Sequence, residues 1–496
     1  MAHQTPEKTA SPWKAIFGLL TTVLIGVGLA LSAHWLLGEE YSSRQRAKVL
    51  APVAGYYYGT SHRDEITVLL IDDASLSNAG ITWPAPYSYE ARLLRAIGQY
   101  KPKAVFLDIL FKNNRKDADI TQLVSAICTL KEKGINVYLG ATENGAGQFA
   151  LRPELEKAAG NCFKKVAVYF SPDEIDRSAW SYPVSGYEND GEKSGLVNPA
   201  AVEIYNDLRN TYLIPKSAES SLALTWGIRP AKHGIPWTGQ EHGKRSSELY
   251  CREDQGKHEL LPGGLRSFGL KHHEKPICVF HETLLAQDLA PNSAEAEDQL
   301  KSQLSGKTVM VGVSFAESHD HVLTPLHGRI PGVYLHAMAL DNLLKYGANY
   351  PEEINFHFKN DAPHRKLFWF LVVAIILTTL FKMVCEKLRE RFNDWLDIRA
   401  KAHEPKKHKT QSRFVRWPFL LAYAAVKIAE KLVFAFVVLL FTAIVVGLGA
   451  YVFNIGFIST FSVALFVVAA EWLEIREKVA HHLSPPKRRA GDLKST

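Results

Sequence analysis

The sequence predicts an α/β domain with a mainly parallel sheet, carried by four transmembrane α-helices. Two observations lead there. Short apolar runs alternate with amphipathic stretches between residues 66 and 345, the pattern of strands covered on both faces by crossover helices. Longer apolar runs flank this polar middle block, each of a length suited to cross a hydrocarbon core of ~30 Å as a helix.

After a short N-terminus (1–14), Ala15 to Leu37 is the first expected span. It is long for the apolar part of a signal peptide, and the small-residue pattern near Ala30 and Ser32 is a weak cleavage site, so an uncleaved anchor is expected. The middle block, 38–365, opens with a strand at Ile66 to Ile71, followed by Asp72-Asp73 and a helix start with Asp73 as its N-cap. A helix at Tyr87 to Tyr100 places Leu93, Leu94 and Ile97 on one face. Further strands are expected at Ala104 to Leu107, Val137 to Leu139, Lys165 to Phe170 and Thr308 to Val313, with helices at Ile120 to Lys133 and Tyr334 to Lys345. Residues 171–276 are rich in Gly, Pro, Ser and charge and read as an insertion or subdomain, with a helix near Ser220 to Trp226 and a strand at Tyr212 to Ile214.

The remaining spans are expected at 367–384, 432–453 and 455–472. The last two form a hairpin about Asn454-Ile455-Gly456, and Trp417 to Ala425 reads as an interfacial helix. Orientation follows from charge. Between Cys385 and Arg416 there are ten Lys/Arg against five Asp/Glu, and the tail (473–496) carries Lys487, Arg488 and Arg489. The positive-inside rule puts the 385–431 loop and the tail in the cytoplasm, and four spans then place the middle block outside. The expected location is a bacterial inner membrane, with the main domain periplasmic or extracellular. The net charge of +7 sits largely in those two basic segments, and without basic runs interleaved with aromatics in the middle block, nucleic acid is not an expected partner. Cys251 and Cys278 are the candidate disulfide in an oxidising compartment, whereas Cys128, in a helical pattern, reads equally as a small buried residue.

Several short motifs resemble the CHASE type-two family of extracellular sensory domains over roughly Tyr41 to Tyr350. They are IDDASL (Ile71 to Leu76), Trp83-Pro84, KAVFLDILF (Lys103 to Phe111), SLAL (Ser221 to Leu224), GKTVMVGVSF (Gly306 to Phe315), Asp320 with Thr324-Pro325, and PGVYLHA (Pro331 to Ala337). One helix before the domain and three after it also resemble this family's membrane frame. Two positions depart from the pattern: Tyr87 stands where members typically carry an Arg after the Trp-Pro element, and Asp207-Leu208-Arg209 lacks the usual glycine.

In open α/β sheets ligands bind beyond the carboxyl ends of the strands. That rule selects Asp72, Asp73, Asp108, Ser314 and Asp320, and the resemblance adds His336 as a candidate ligand-binding residue. Convergent carboxylates would suit a cation or the amine of a small ligand. The plainer role for strand-end aspartates is to cap helices and satisfy loop amides, and for His336 it is packing. His319, Asp320, His321, His327 and His336 contain metal-ligand types but no helical H-E-x-x-H pattern, and Ser314 follows Gly-Val rather than the G-x-S-x-G of a nucleophile. No metal, cofactor or enzymatic activity is expected. Only about two dozen residues follow Trp472, too few for a kinase or cyclase core. The expected role is a membrane-anchored receptor. It would bind an extracytoplasmic small-molecule or protein signal and act through a separate partner, and a homo-oligomer is compatible with that role. The alternative is a non-sensing structural component of a membrane complex.

Overall fold

A computed structural model describes residues 39–112, 115, 120–144, 148–188, 196–215, 220–232, 236–237, 277–315, 320–353, 362–403 and scattered positions between 425 and 452. The chain divides into two compact units, Tyr41–Glu353 and the combination of Met1–Glu40 with Ile354–Thr496.

The larger unit is the expected α/β domain. Helix α1 (Glu39–Tyr58) leads into strand β1 (Ile66–Asp72) and the short helix α2 (Asp73–Asn78). Helix α3 (Tyr87–Gln99), β2 (Ala104–Leu107), α4 (Thr121–Glu132), β3 (Asn136–Glu143), β4 (Phe149–Ala150), α5 (Pro153–Ala159) and β5 (Lys164–Ala167) follow. After the inserted region come α6 (Ala200–Arg209), β6 (Glu282–Leu285), α7 (Ala294–Leu304), β7 (Thr308–Ser314) and α8 (Val333–Tyr346). The seven-stranded sheet runs β6-β1-β7-β2-β3, with β5 parallel and β4 antiparallel to β3.

Residue alternation along β1 divides the core. Ile66, Val68 and Leu70 pack with α6 and α8 on one face, while Leu69 and Ile71 pack with α3, α4 and α5 on the other. Every residue of β1 and β7 is buried, as strands sandwiched between two helical layers require. Helix α8 is buried from Val333 to Leu344. A Cβ on Gly312 of β7 would lie 2.6 Å from Val333 Cβ, so glycine is what lets α8 lie directly on the sheet.

The insertion differs from expectation. Ser221–Ala223 is a strand, antiparallel to Ser181–Pro183, not part of a helix. Leu222 and Ala223 are buried there, and Ser220 Oγ donates to Glu352 Oε1 at 3.1 Å, so cross-chain pairing overrides the local helical pattern. Tyr212 to Ile214 is not a strand, and Tyr212 and Ile214 are exposed. The helix lies earlier, at α6, and ends at Asn210 in the left-handed region (φ 47°), a conformation asparagine tolerates.

Cys128 and Cys162 form a disulfide that ties α4 to the segment after α5, which decides between the two readings left open for Cys128. Cys278 is also disulfide-bonded, and its expected partner Cys251 lies outside the described residues. The expected spans 15–37 and 455–472 also fall outside them, as does the interfacial stretch Trp417 to Ala425 except for Ala425 itself. A long helix, α9 (Ala362–His403), contains the expected span 367–384. Counting described residues alone, no helix is long and apolar enough to cross a membrane.

Gly312→Ala is expected to destabilise the full chain by about 1–3 kcal/mol through overpacking. In thermal unfolding, adding Val333→Ala should recover part of that loss, because the two sites share one contact.

Candidate functional site: a cleft at the strand ends

The sheet register creates the cleft. Strand β7 pairs with β1 through Asp72 and Ser314, but with β2 only as far as Leu107 opposite Val311. The last three residues of β7 therefore run past the end of β2. Asp108 follows directly, its N–H still donating to the Val311 carbonyl at 2.8 Å. Above this step lies a cavity of about 1350 Å³ lined by Asp73, Trp83, Asp108, Phe315, Asp320 and His336, among others.

Four of the six sequence candidates, Asp73, Asp108, Asp320 and His336, share this cleft. Asp72 and Ser314 are not in its lining; both are buried, opposite one another in the sheet. Asp72, not Asp73, is the N-cap of α2. Its carboxylate accepts from Ser75 N–H at 2.9 Å and from the Ser75 hydroxyl. Asp73 is thereby one residue into the helix, exposed, and lines the cleft.

Helix α8 begins under the cleft. The Asp320 carboxylate rests against Gly332, where a Cβ would come within 2.3 Å of Oδ1. One turn on, His336 Nδ1 lies 2.8 Å from the Tyr182 hydroxyl, and that hydroxyl accepts from Ala201 N–H at 3.2 Å. The hydroxyl still has its own proton to donate, and a Nδ1 that accepts it carries the ring proton on Nε2. Nε2 points to Asp108 Oδ2 at 3.7 Å, beyond hydrogen-bond distance. Burial pushes the His336 pKa down to about 3, so the ring is neutral at physiological pH.

The two inner carboxyls are shifted the other way. Burial, and then the charge of Asp320, raises Asp108 well above the usual carboxylate range. Burial raises Asp320 to about 6. Both hold a proton more tightly than an ordinary carboxyl does, and a positive group entering beside them would oppose that shift.

The rim is aromatic. Trp83 is 37% exposed and packs on Phe315 with ring centroids 4.9 Å apart. Arg115 stands over Trp83, Tyr87 and Phe111 and is ion-paired with Glu90. Neither Arg115 nor Glu90 carries a sequence pattern that would have singled it out. His327 lies elsewhere, with its Nε2 2.9 Å from the Gly227 carbonyl, and His319 is outside the described residues. Among the described residues no group of three or more His, Cys, Asp or Glu side chains could hold a metal ion.

The Asp320 pKa of about 6 in the folded chain lies above its ordinary 3.8. Between these values the native state binds more protons than the unfolded chain, so this contribution to stability is present at low pH and lost as pH rises through about 6. His336, depressed from 6.5 to about 3, contributes with the opposite sign over the same interval. The difference between wild type and Asp320→Asn reports Asp320 together with the part of the Asp108 shift that its charge causes, both of the same sign. Wild type is expected to lose stability relative to the variant as pH rises from about 4 to about 6, measured by thermal unfolding; a pH-independent difference contradicts the assignment.

No curated protein and no solved structure matches the chain. A family model does: the CHASE2 domain, over residues 19–379. That match covers well over half the sequence and all the strands and helices that build the cleft, so the chain belongs to the CHASE2 domain family, a family of extracellular sensory domains.

Proposed function

We propose that this protein is a membrane-anchored receptor whose strand-end cleft binds an extracytoplasmic signal and whose helix α8 reports occupancy to a separate partner protein. The observation that carries this reading is the placement of α8. Its first turns line the cleft through Leu335 and His336. Near its other end, Asp341 accepts from the Tyr58 hydroxyl at the end of α1, and Lys345 Nζ donates to the Tyr58 carbonyl. Asp341 is also 3.4 Å from His281 Nε2. One buried helix of roughly 20 Å therefore joins the cleft to the last turn of α1. In the chain, α1 follows the first apolar run and α8 precedes the second, so a change at the cleft has a covalent route to both.

Membrane anchoring is part of the same proposal. Along α9 the side chains of Trp369, Val373, Leu377, Leu380 and Val384 are exposed, three or four residues apart on one face. Such an uncovered apolar stripe suits lipid. In the same unit Val433, Phe436, Leu440, Ile444 and Leu448 repeat the pattern. Phe381 stacks on Phe441 at 3.7 Å, and Phe370 packs against Gly449, an antiparallel contact expected of neighbouring spans. The Cys128–Cys162 disulfide favours an oxidising compartment for the larger unit. Two apolar runs, 15–37 and 455–472, complete four spans, with the basic loop and tail in the cytoplasm of a bacterial inner membrane.

The test is topological. In intact spheroplasts, a full chain carrying Gly191→Cys in a Cys385→Ser background is expected to react with an impermeant maleimide. The Lys407→Cys equivalent should react only after lysis, and the reverse labelling would overturn the receptor reading. Co-purification in a complex of fixed stoichiometry, indifferent to Asp108→Ala, would instead mark a structural component.

A further inference from the structure

Resting on the cleft reading above, we infer that the ligand of this cleft carries a protonated amine, seated at Asp108 and Asp320, on a flat apolar body that lies against Trp83 and Phe315.

Three observations converge on that chemistry. The first is an unmet acceptor. The Asp108 side chain is only 9% exposed and lines the cleft. Among the described residues its carboxylate accepts no hydrogen bond, and the Nε2 of the neutral His336 lies 3.7 Å away. Buried carboxylates otherwise secure donors, and an open face toward a cavity leaves that place to an incoming N–H. The second is the charge inventory. Asp73, Asp108 and Asp320 line the cleft. Arg115 is the only Arg or Lys among its described lining residues, and it is 4% exposed and paired with Glu90. Among the described residues an anionic ligand would meet carboxylates and no unpaired cation, while an ammonium would meet acceptors whose charge it favours. The third is the wall. Trp83 lines the cleft and keeps over a third of its surface open, and Phe315, packed beside it and also lining the cleft, extends the same apolar surface. Aromatic faces accept both a flat apolar body and the edge of a cationic group.

A metal ion would be the other positive occupant. Among the described residues no side-chain set reaches the three ligands needed, and the Asp108 surroundings offer one carboxylate beside one histidine. An organic ammonium needs only hydrogen-bond acceptors and an apolar flank.

The experiment uses three probes with the same ring and different heads: 2-phenylethylamine, 2-phenylethanol and 3-phenylpropionate. Each is titrated calorimetrically into the full chain in lipid nanodiscs. The amine is expected to bind saturably, about tenfold or more tighter than the alcohol, with no binding of the carboxylate. Asp108→Asn should weaken the amine about tenfold to a hundredfold and leave the alcohol nearly unchanged. Asp72→Asn, which alters the capping carboxylate outside the cleft, should not weaken it. Circular dichroism and the unfolding temperature of each variant separate loss of binding from loss of fold. Saturable binding of the propionate or the alcohol in preference to the amine overturns the amine assignment while leaving the cleft as a ligand site. No saturable binding of the amine at millimolar concentration, or amine binding unaffected by Asp108→Asn, overturns it as well.

Discussion

One contact sets the geometry of everything above it: helix α8 lying on strand β7 with no side chain between Gly312 and Val333. That closeness seats Gly332, Leu335 and His336 under the cleft. It also fixes the angle at which α8 continues to Asp341 and Lys345. Because the helix is buried from Val333 to Leu344, it cannot shift at one end without repacking along its length, and close-packed interiors respond to such demands by switching between discrete arrangements. A helix of this kind is suited to carry information, and a solvent-facing one is not.

The cleft itself is a product of unequal strand lengths. Had β2 continued alongside β7 to Ser314, Asp108 would be a ladder residue; because β2 stops at Leu107, its carboxylate is turned into an opening walled by apolar groups. Low polarity then does two things. It makes ionising Asp108 and Asp320 costly, and it strengthens whatever positive group does reach them. Asp72 shows the contrast. It too follows an apolar strand, yet Ser75 takes up its carboxylate twice, and its function ends with capping. Two aspartates at equivalent strand ends thus differ because one has local donors and the other, among the described residues, has none.

Much of the fold was legible because parallel strands and crossover helices write themselves locally: ITVLLI and TVMVGV are buried on both faces, and the face of α3 is readable from Leu93, Leu94 and Ile97. The strand-end rule likewise selected Asp73, Asp108 and Asp320, since lying past a strand is a property of a short segment. What was hidden depends on distant partners. Ser221–Ala223 becomes a strand only through Ser181–Pro183. The Glu90–Arg115 pair joins a helix to a loop, and Tyr58 meets Asp341 across most of the domain. No spacing pattern marks Cys128 for Cys162, because sequence distance does not say which thiols fold together. The cap went to Asp72 rather than Asp73 because the first helical residue, one position earlier than read, decides which carboxylate faces the free N–H groups.

The clamp between α1 and α8 gives the proposed receptor its output. Tyr58 and Lys345 tie the end of the incoming helix to the outgoing one, and Arg44 and Lys48 fasten the earlier turns of α1 to Asp173 and Asp176 at 2.8 and 3.0 Å. A ligand that binds one arrangement of α8 more tightly than another would bias this frame by that difference in affinity and no more. Hydrogen exchange of the full chain in nanodiscs, with and without a saturating cleft ligand, tests the central claim directly. The account predicts altered protection along α8 as far as residues 341–346 and in the last turn of α1. Changes confined to residues 81–84 and 108–112, with α8 and α1 unaltered, would contradict it.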